Sequence, residues 1–315
     1  MSADRRPPSR LAELGRKGGV LAGFGAYGLW GLFPLYFDAL RPTGPWEILA
    51  NRIVWSAVFC LIVLAVRRDW AWLPPLLRNR KLMLGVTAAA FLIAVNWVVY
   101  VAAVTSGHTS DAALGYFLNP IVTVALGVLV LREQLRPLQW LAVAIGAAAA
   151  VYLAVAGGSF PVTALTLAAS FALYGLVKNK VGATLPALHS LTLETLILLP
   201  AAAVILVVVA LGPGLDFARH GTAHSALLVL SGVATAIPLL LFAAAARRIP
   251  LVTVGLIQFV TPVIQLICAV TLLGEHVSTA RWIGFGIVWV ALAVLTTDAL
   301  MNARSPRRGV EPVVP

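Results

Sequence analysis

Charge is scarce in this chain, and acidic charge is scarcest. Of 315 residues, 12 are Asp or Glu and 11% are charged in all, against 60% that are hydrophobic. A soluble domain carries about 25% charged residues. So few charges cannot cover a water-facing surface, which excludes a soluble globular enzyme and a disordered chain. Cysteine is nearly absent. Cys60 and Cys268 lie inside apolar runs, which excludes a disulfide framework and a thiolate metal site. Motifs are missing too. Without a Walker loop there is no ATP-driven pump within the chain, and neither His-Glu-x-x-His nor Gly-x-Ser-x-Gly occurs. The five histidines, His108, His189, His220, His224 and His276, fall in or beside loops and form no dyad. No catalytic residue, metal or cofactor is expected. A secretory signal is lacking as well: residues 1–18 and 300–315 read as polar cytoplasmic tails.

What remains is sequence suited to lipid. Ten apolar runs fit a bilayer span of about 20 residues, near 19–37, 46–66, 82–104, 111–131, 138–156, 160–177, 188–211, 223–246, 251–273 and 280–299. They are continuously apolar, which excludes the alternating pattern of a β-barrel and predicts an all-α membrane protein. The net charge of +11 suggests a nucleic-acid partner at first sight, but the basic residues sit in short gaps between the runs. With the N-terminus inside, nineteen Lys or Arg fall in cytoplasmic segments, Lys178 and Lys180 among them, and only Arg41, Arg219 and Arg281 fall outside. That split follows the positive-inside rule, puts both termini in the cytoplasm, and leaves no case for nucleic acid.

The chain also repeats itself. Residues 114–140 match residues 256–282 without a gap, pairing Phe117 with Phe259, Pro120 with Pro262, Glu133 with Glu275 and Trp140 with Trp282 at one offset of 142. Five spans per repeat is an odd number, so the second copy enters the membrane upside down, the arrangement of many secondary transporters. The expected organisation is a first five-helix repeat over 19–156 and a second over 160–299.

Ionisable residues within spans are functional candidates. Glu47 and Glu194 occupy matching helices, 147 residues apart, and Arg52 lies deeper than Glu47. Each glutamate reads either as a group solvated at interface depth or as a carrier of the proton in coupled transport. Arg52 reads either as a receptor for an anionic substrate group or as a partner that clamps Glu47. Neutral polar residues form stripes: Asn96 and Tyr100; Tyr116, Asn119 and Thr123; and Gln258, Thr261 and Gln265 at equivalent positions of the second repeat. Helical spacing puts each set on one face. The set is expected to line a central substrate cavity, the other reading being interhelical bonds that only join the bundle. Pro120 and Pro262 fall mid-span and are expected to act as hinges. Glu133 and Glu275 read as structural capping groups. With only Arg52 as a buried cation, a neutral or zwitterionic, partly aromatic solute fits better than a nucleotide sugar. Protons are the candidate coupling ion. A membrane-embedded enzyme acting on lipid-linked substrates and a non-transporting sensor or scaffold are the other readings; both lack supporting groups.

Several segments, among them EILANRIVWS (47–56), NWVVYVAAV (96–104), ALGYFLNPIVTVALGVLVLREQLRPLQWLAVAI (113–145), SFALYGLVKNK (170–180) and VATAIPLLLFAAAARRIPLVTVGLIQFVTP (233–262), resemble the EamA branch of the drug/metabolite transporter superfamily. The resemblance covers most of the chain. It implies a multi-pass permease of the cytoplasmic membrane that exports a small organic or drug-like molecule.

Overall fold

The computed structural model describes residues 10–131, 135–156, 161–182, 185–246, 248–249 and 257–304. Every regular element among these is helical. In order they are α1 (Arg10–Gly31), α2 (Phe33–Asp38), α3 (Pro45–Arg67), α4 (Leu73–Leu77), α5 (Arg80–Thr105), α6 (Thr109–Leu131), α7 (Pro137–Ala156), α8 (Val162–Gly182), α9 (Ala187–Leu211), α10 (Thr222–Ala246), α11 (Val260–Ile267) and α12 (Thr279–Arg304). A π-helical turn, Cys268–Leu272, extends α11. Seven stretches among the described residues are long and apolar enough to cross a membrane, and Val162–Lys178 and Val260–Leu272 are shorter apolar helices. Large side chains such as Leu21, Ile62, Val66, Leu84, Val155 and Leu211 point outward, which suits a hydrocarbon surround and not water. This is a multi-pass membrane protein.

Local sequence sets the boundaries. Pro45 opens α3, where a missing N–H is harmless, and Arg68 closes it in the left-handed region at φ 52°. The Asn79 side chain accepts a hydrogen bond from Leu82 N (3.1 Å) and caps α5. Two of the expected runs are interrupted. The first breaks at Leu32, because Pro34 sits at the start of α2 and cannot donate back into α1. In the ninth, Gln258 and Phe259 form a turn and the helix restarts at Val260. Pro262 supplies no amide to Gln258 O, which accepts from Thr261 N instead (3.2 Å). Pro120, by contrast, sits inside an unbroken α6. The two matched prolines therefore have different surroundings.

The apolar core falls into two large groups. One joins α3, α5, α9 and α10 through residues such as Ile53, Ile93, Leu198 and Ala236. The other joins α6, α7, α8, α11 and α12 through Phe117, Leu153, Ala168, Leu266 and Phe285. A third group, containing Phe33, Phe37, Tyr100 and Leu167, is built from α2, α3, α5, α6, α8 and α10. Helix pairing follows an exchange of halves. The packing of α6 on α8 has its counterpart in α1 on α11, and that of α5 on α8 in α1 on α10, while α3 on α9 and α7 on α12 are their own counterparts.

At one end of the bundle each half holds backbone of the other. The Glu275 carboxylate accepts from Thr109 N (2.5 Å) and Ser110 N (2.8 Å), satisfying amides that the first turn of α6 leaves unpaired. Capping was the expectation for Glu275, but the helix it caps lies 165 residues away rather than next in the chain. Its counterpart Glu133 lies outside the described residues. Bonds from Arg136 to Asp298 and from Arg281 to Asp111 (3.0 Å) also join the halves.

Close approach is marked by Gly232 in α10. A Cβ there would lie 2.2 Å from the Trp55 carbonyl carbon of α3, so the two backbones touch. Gly286 has open space at the same point. Gly232→Ala is expected to lower the unfolding midpoint in detergent, by at least the ~1–3 kcal/mol of a strained core. Gly286→Ala should leave it unchanged; equal midpoints for the two variants would contradict this contact.

Candidate functional site

The residues singled out in sequence separate into a central group and two peripheral ones. Arg52 is the centre. It is 4% exposed, and its Nε donates to Thr235 Oγ1 of α10 (2.7 Å). The guanidinium carbon lies 4.1 Å from the Trp97 ring centroid, 5.5 Å from Phe33 and 5.6 Å from Phe37. Such contacts stabilise a desolvated cation by about 2 kcal/mol or more. Among the described residues no carboxylate pairs with it, and Nη1 has no hydrogen-bond partner. The clamp on Glu47, one of the two readings of Arg52, is not formed.

From this cage an aromatic path runs onward. Phe37 meets Tyr100 edge-on at 5.8 Å, and Tyr100 lies 5.6 Å from Tyr116. The Tyr116 hydroxyl donates to Asn96 Oδ1 (3.2 Å), and Asn96 Nδ2 donates to Ser170 Oγ (3.1 Å) and Leu167 O (3.0 Å) of α8. Asn96, Tyr100 and Tyr116 thus do come together, on the seam between the halves. Tyr100 OH and Asn119 Oδ1 are both buried without a partner. An unsatisfied polar group costs about 1–3 kcal/mol when buried, so these two groups keep unused capacity, Tyr100 to donate and Asn119 to accept. Thr123 does not join: it is exposed and bonds its own helix at Asn119 O (2.9 Å).

The second stripe behaves differently. Thr261 donates to Tyr27 O (2.7 Å) and Gln265 to Trp30 O (3.3 Å), both on the α1 backbone, while Gln258 is half-buried in the turn before α11. These bonds join α11 to α1.

The two glutamates are not alike either. Glu47, 2% exposed, accepts from Asp216 N with both carboxylate oxygens (3.0 Å each) and from Phe217 N (2.9 Å). It fastens the start of α3 to the α9–α10 loop. Tyr36 OH to Leu227 O (2.5 Å) and Thr43 Oγ1 to His224 Nε2 (2.7 Å) reinforce that end. Glu194, 3% exposed, is held by side chains: Lys178 Nζ at 2.5 Å, Ser190 Oγ at 2.9 Å and Tyr174 OH at 3.2 Å. Lys178 also bonds Ser190. Near this opposite end His189 Nε2 meets Asp69 (2.7 Å), and Trp72 stacks on the imidazole at 4.3 Å.

Sequence reasoning missed Lys178, which it counted among the loop cations, although Tyr174 and Lys178 share a helix face. It also missed Phe33, Phe37, Trp97 and Thr235 around Arg52, which carry no signal in so apolar a chain. Asp69 with His189 has none either, since the two are 120 residues apart.

Comparison with known proteins agrees with this architecture. The EamA-like transporter family model matches residues 17–155 and again 160–297. Protein RarD of Streptomyces exfoliatus is 48% identical over 307 residues, 96% of each chain. An uncharacterized transporter of Pseudomonas aeruginosa is 41% identical, covering 93% of this chain and 98% of its own. Protein RarD of Escherichia coli is 36% identical over 91% of this chain and 96% of its own. A crystal structure of another protein shares the fold, with a TM-score of 0.58 and 18% identity over 92% of this chain and all of that one. With two family matches spanning most of its length and full-length relatives at this identity, the chain belongs to the EamA-like transporter family.

Proposed function

We propose that this membrane transporter is an exporter of the cytoplasmic membrane, with ten spans in two inverted five-helix repeats and both termini inside. It moves a small organic molecule by alternating access. The observation that carries the reading is the central polar group, in which Arg52, Asn96 and Tyr116 of the first half meet Thr235 and Ser170 of the second. A solute bound there touches both halves, so a rocking motion of one against the other moves the opening from one face to the other. Tyr100 and Asn119 complete the pathway, with Gln258 and Thr261 at its α11 side and Pro120 and Pro262 as the hinges. Glu47 serves at the pathway's end as a latch on the α9–α10 loop.

Glu194 is the proposed proton carrier. Its ion pair with Lys178 ties α9 to α8, and protonation removes the charge that holds the pair. One proton crossing the membrane supplies about 2.3 kcal/mol per 100 mV, enough to bias an exchange about fiftyfold.

The function is tested with purified protein in proteoliposomes, against a panel of amino acids and drug-like compounds. At least one compound should show saturable counterflow, and inside-out vesicles should accumulate it when a pH gradient is imposed. No counterflow across the panel would contradict the reading.

For the coupling group, Glu194→Gln is expected to abolish gradient-driven accumulation while counterflow persists. Glu47→Gln should lower thermal stability and leave coupling intact. Full accumulation by the Glu194 variant would remove it as the carrier. Reporter fusions after Pro315 should report the cytoplasm and fusions in the 105–108 loop the outside; the reverse pair would overturn the inverted topology.

A further inference from the structure

We infer that Arg52 is the receptor for a carboxylate on the transported molecule, an organic monoanion whose apolar body lies against the aromatic side chains around the guanidinium. The inference rests on the transporter reading above and gives it a substrate class.

Arg52 carries a guanidinium, which stays charged in proteins, and it is almost fully enclosed in a region where water does not compensate charge. The acidic groups placed to neutralise it are engaged elsewhere. Glu47, one helical turn and a half along α3, is occupied by the amides of Asp216 and Phe217, and Glu194 by Lys178. The protein instead holds the cation by ring faces, Trp97, Phe33 and Phe37, and by one hydrogen bond from Nε to Thr235. Ring contacts stabilise a guanidinium without using its N–H groups, whose in-plane fork suits the two oxygens of a carboxylate. Nη1 is left without a partner.

A second donor points the same way. The Tyr100 hydroxyl is also buried and unpartnered, and its ring meets Phe37 of the cage edge-on at 5.8 Å. A carboxylate between this hydroxyl and the guanidinium satisfies both and neutralises the charge. One unpaired cation matches one negative charge, so a monoanion fits and a phosphate dianion does not. The rings of Phe37, Tyr100, Tyr116 and Phe171 follow one another at 5.6–6.3 Å and offer an apolar surface beyond the charged head.

The competing role is a fastener in which Arg52 only ties α3 to α10 through Thr235. Isothermal calorimetry on the full-length protein in detergent separates the two roles. The probes are benzoate, phenylacetate and 3-phenylpropionate, each against its neutral amide. On the wild-type protein at least one acid should bind about tenfold more tightly than its amide. Arg52→Gln should lose that preference, while Arg52→Lys, which keeps the charge and loses the in-plane fork, should retain only part of it. Equal binding of every acid and its amide, or no binding by any acid, overturns the proposal without recourse to a variant. A preference that survives in a folded Arg52→Gln protein overturns it as well. Counterflow of radiolabelled acid in proteoliposomes is read separately. Acid binding without counterflow supports the carboxylate site and removes the transporter reading. Counterflow that is the same for acid and amide keeps the transporter reading and removes the site.

Discussion

Inside hydrocarbon there is no water to satisfy a stray polar group, so each one must find its partner in the protein. In this chain many of those partners lie across the boundary between the halves. Glu47 holds amides of the second half and Glu275 amides of the first. Asn96 binds Ser170, Arg52 binds Thr235 and Thr261 binds the α1 backbone. Each half left alone would bury carboxylates and amides without partners, at about 1–3 kcal/mol for each neutral group and more for each charge. The two repeats therefore form one bundle rather than two domains, and the central polar group lies where they meet.

The same constraint explains what the sequence discloses. Continuous apolar runs leave helix as the only spanning structure, so the helices were legible to within a few residues. The repeat was legible because Pro, Glu and Trp stand out at one offset against a background of Leu, Val and Ala. Partner choice was not legible. Glu47 and Glu194 look equivalent by position, yet one meets backbone amides and the other meets Lys178, because the first faces a loop and the second faces a helix carrying a cation. Phe33, Phe37 and Trp97 pass for ordinary lipid-soluble residues until folding sets them around Arg52. The break at Gln258 was hidden for a related reason. Its proline matches Pro120, but α6 absorbs the missing amide and the ninth run restarts instead.

Matched in sequence, the halves are unmatched in bonding. Tyr116 reaches Asn96 in the centre, while its counterpart Gln258 lies in the turn before α11 and Thr261 and Gln265, the counterparts of Asn119 and Thr123, hold the backbone of α1. The difference between the stripes shows which bonds each copy makes in the arrangement observed.

Gly232 gives the crossing of α3 and α10 an unusual mechanical character. Where neighbouring helices interlock side chains, one cannot turn without lifting its ridges out of the other's grooves. Here bare backbone rests on the Trp55 carbonyl. At that point there is no side-chain ridge to lift, so the contact is that of a bearing rather than of meshed gears.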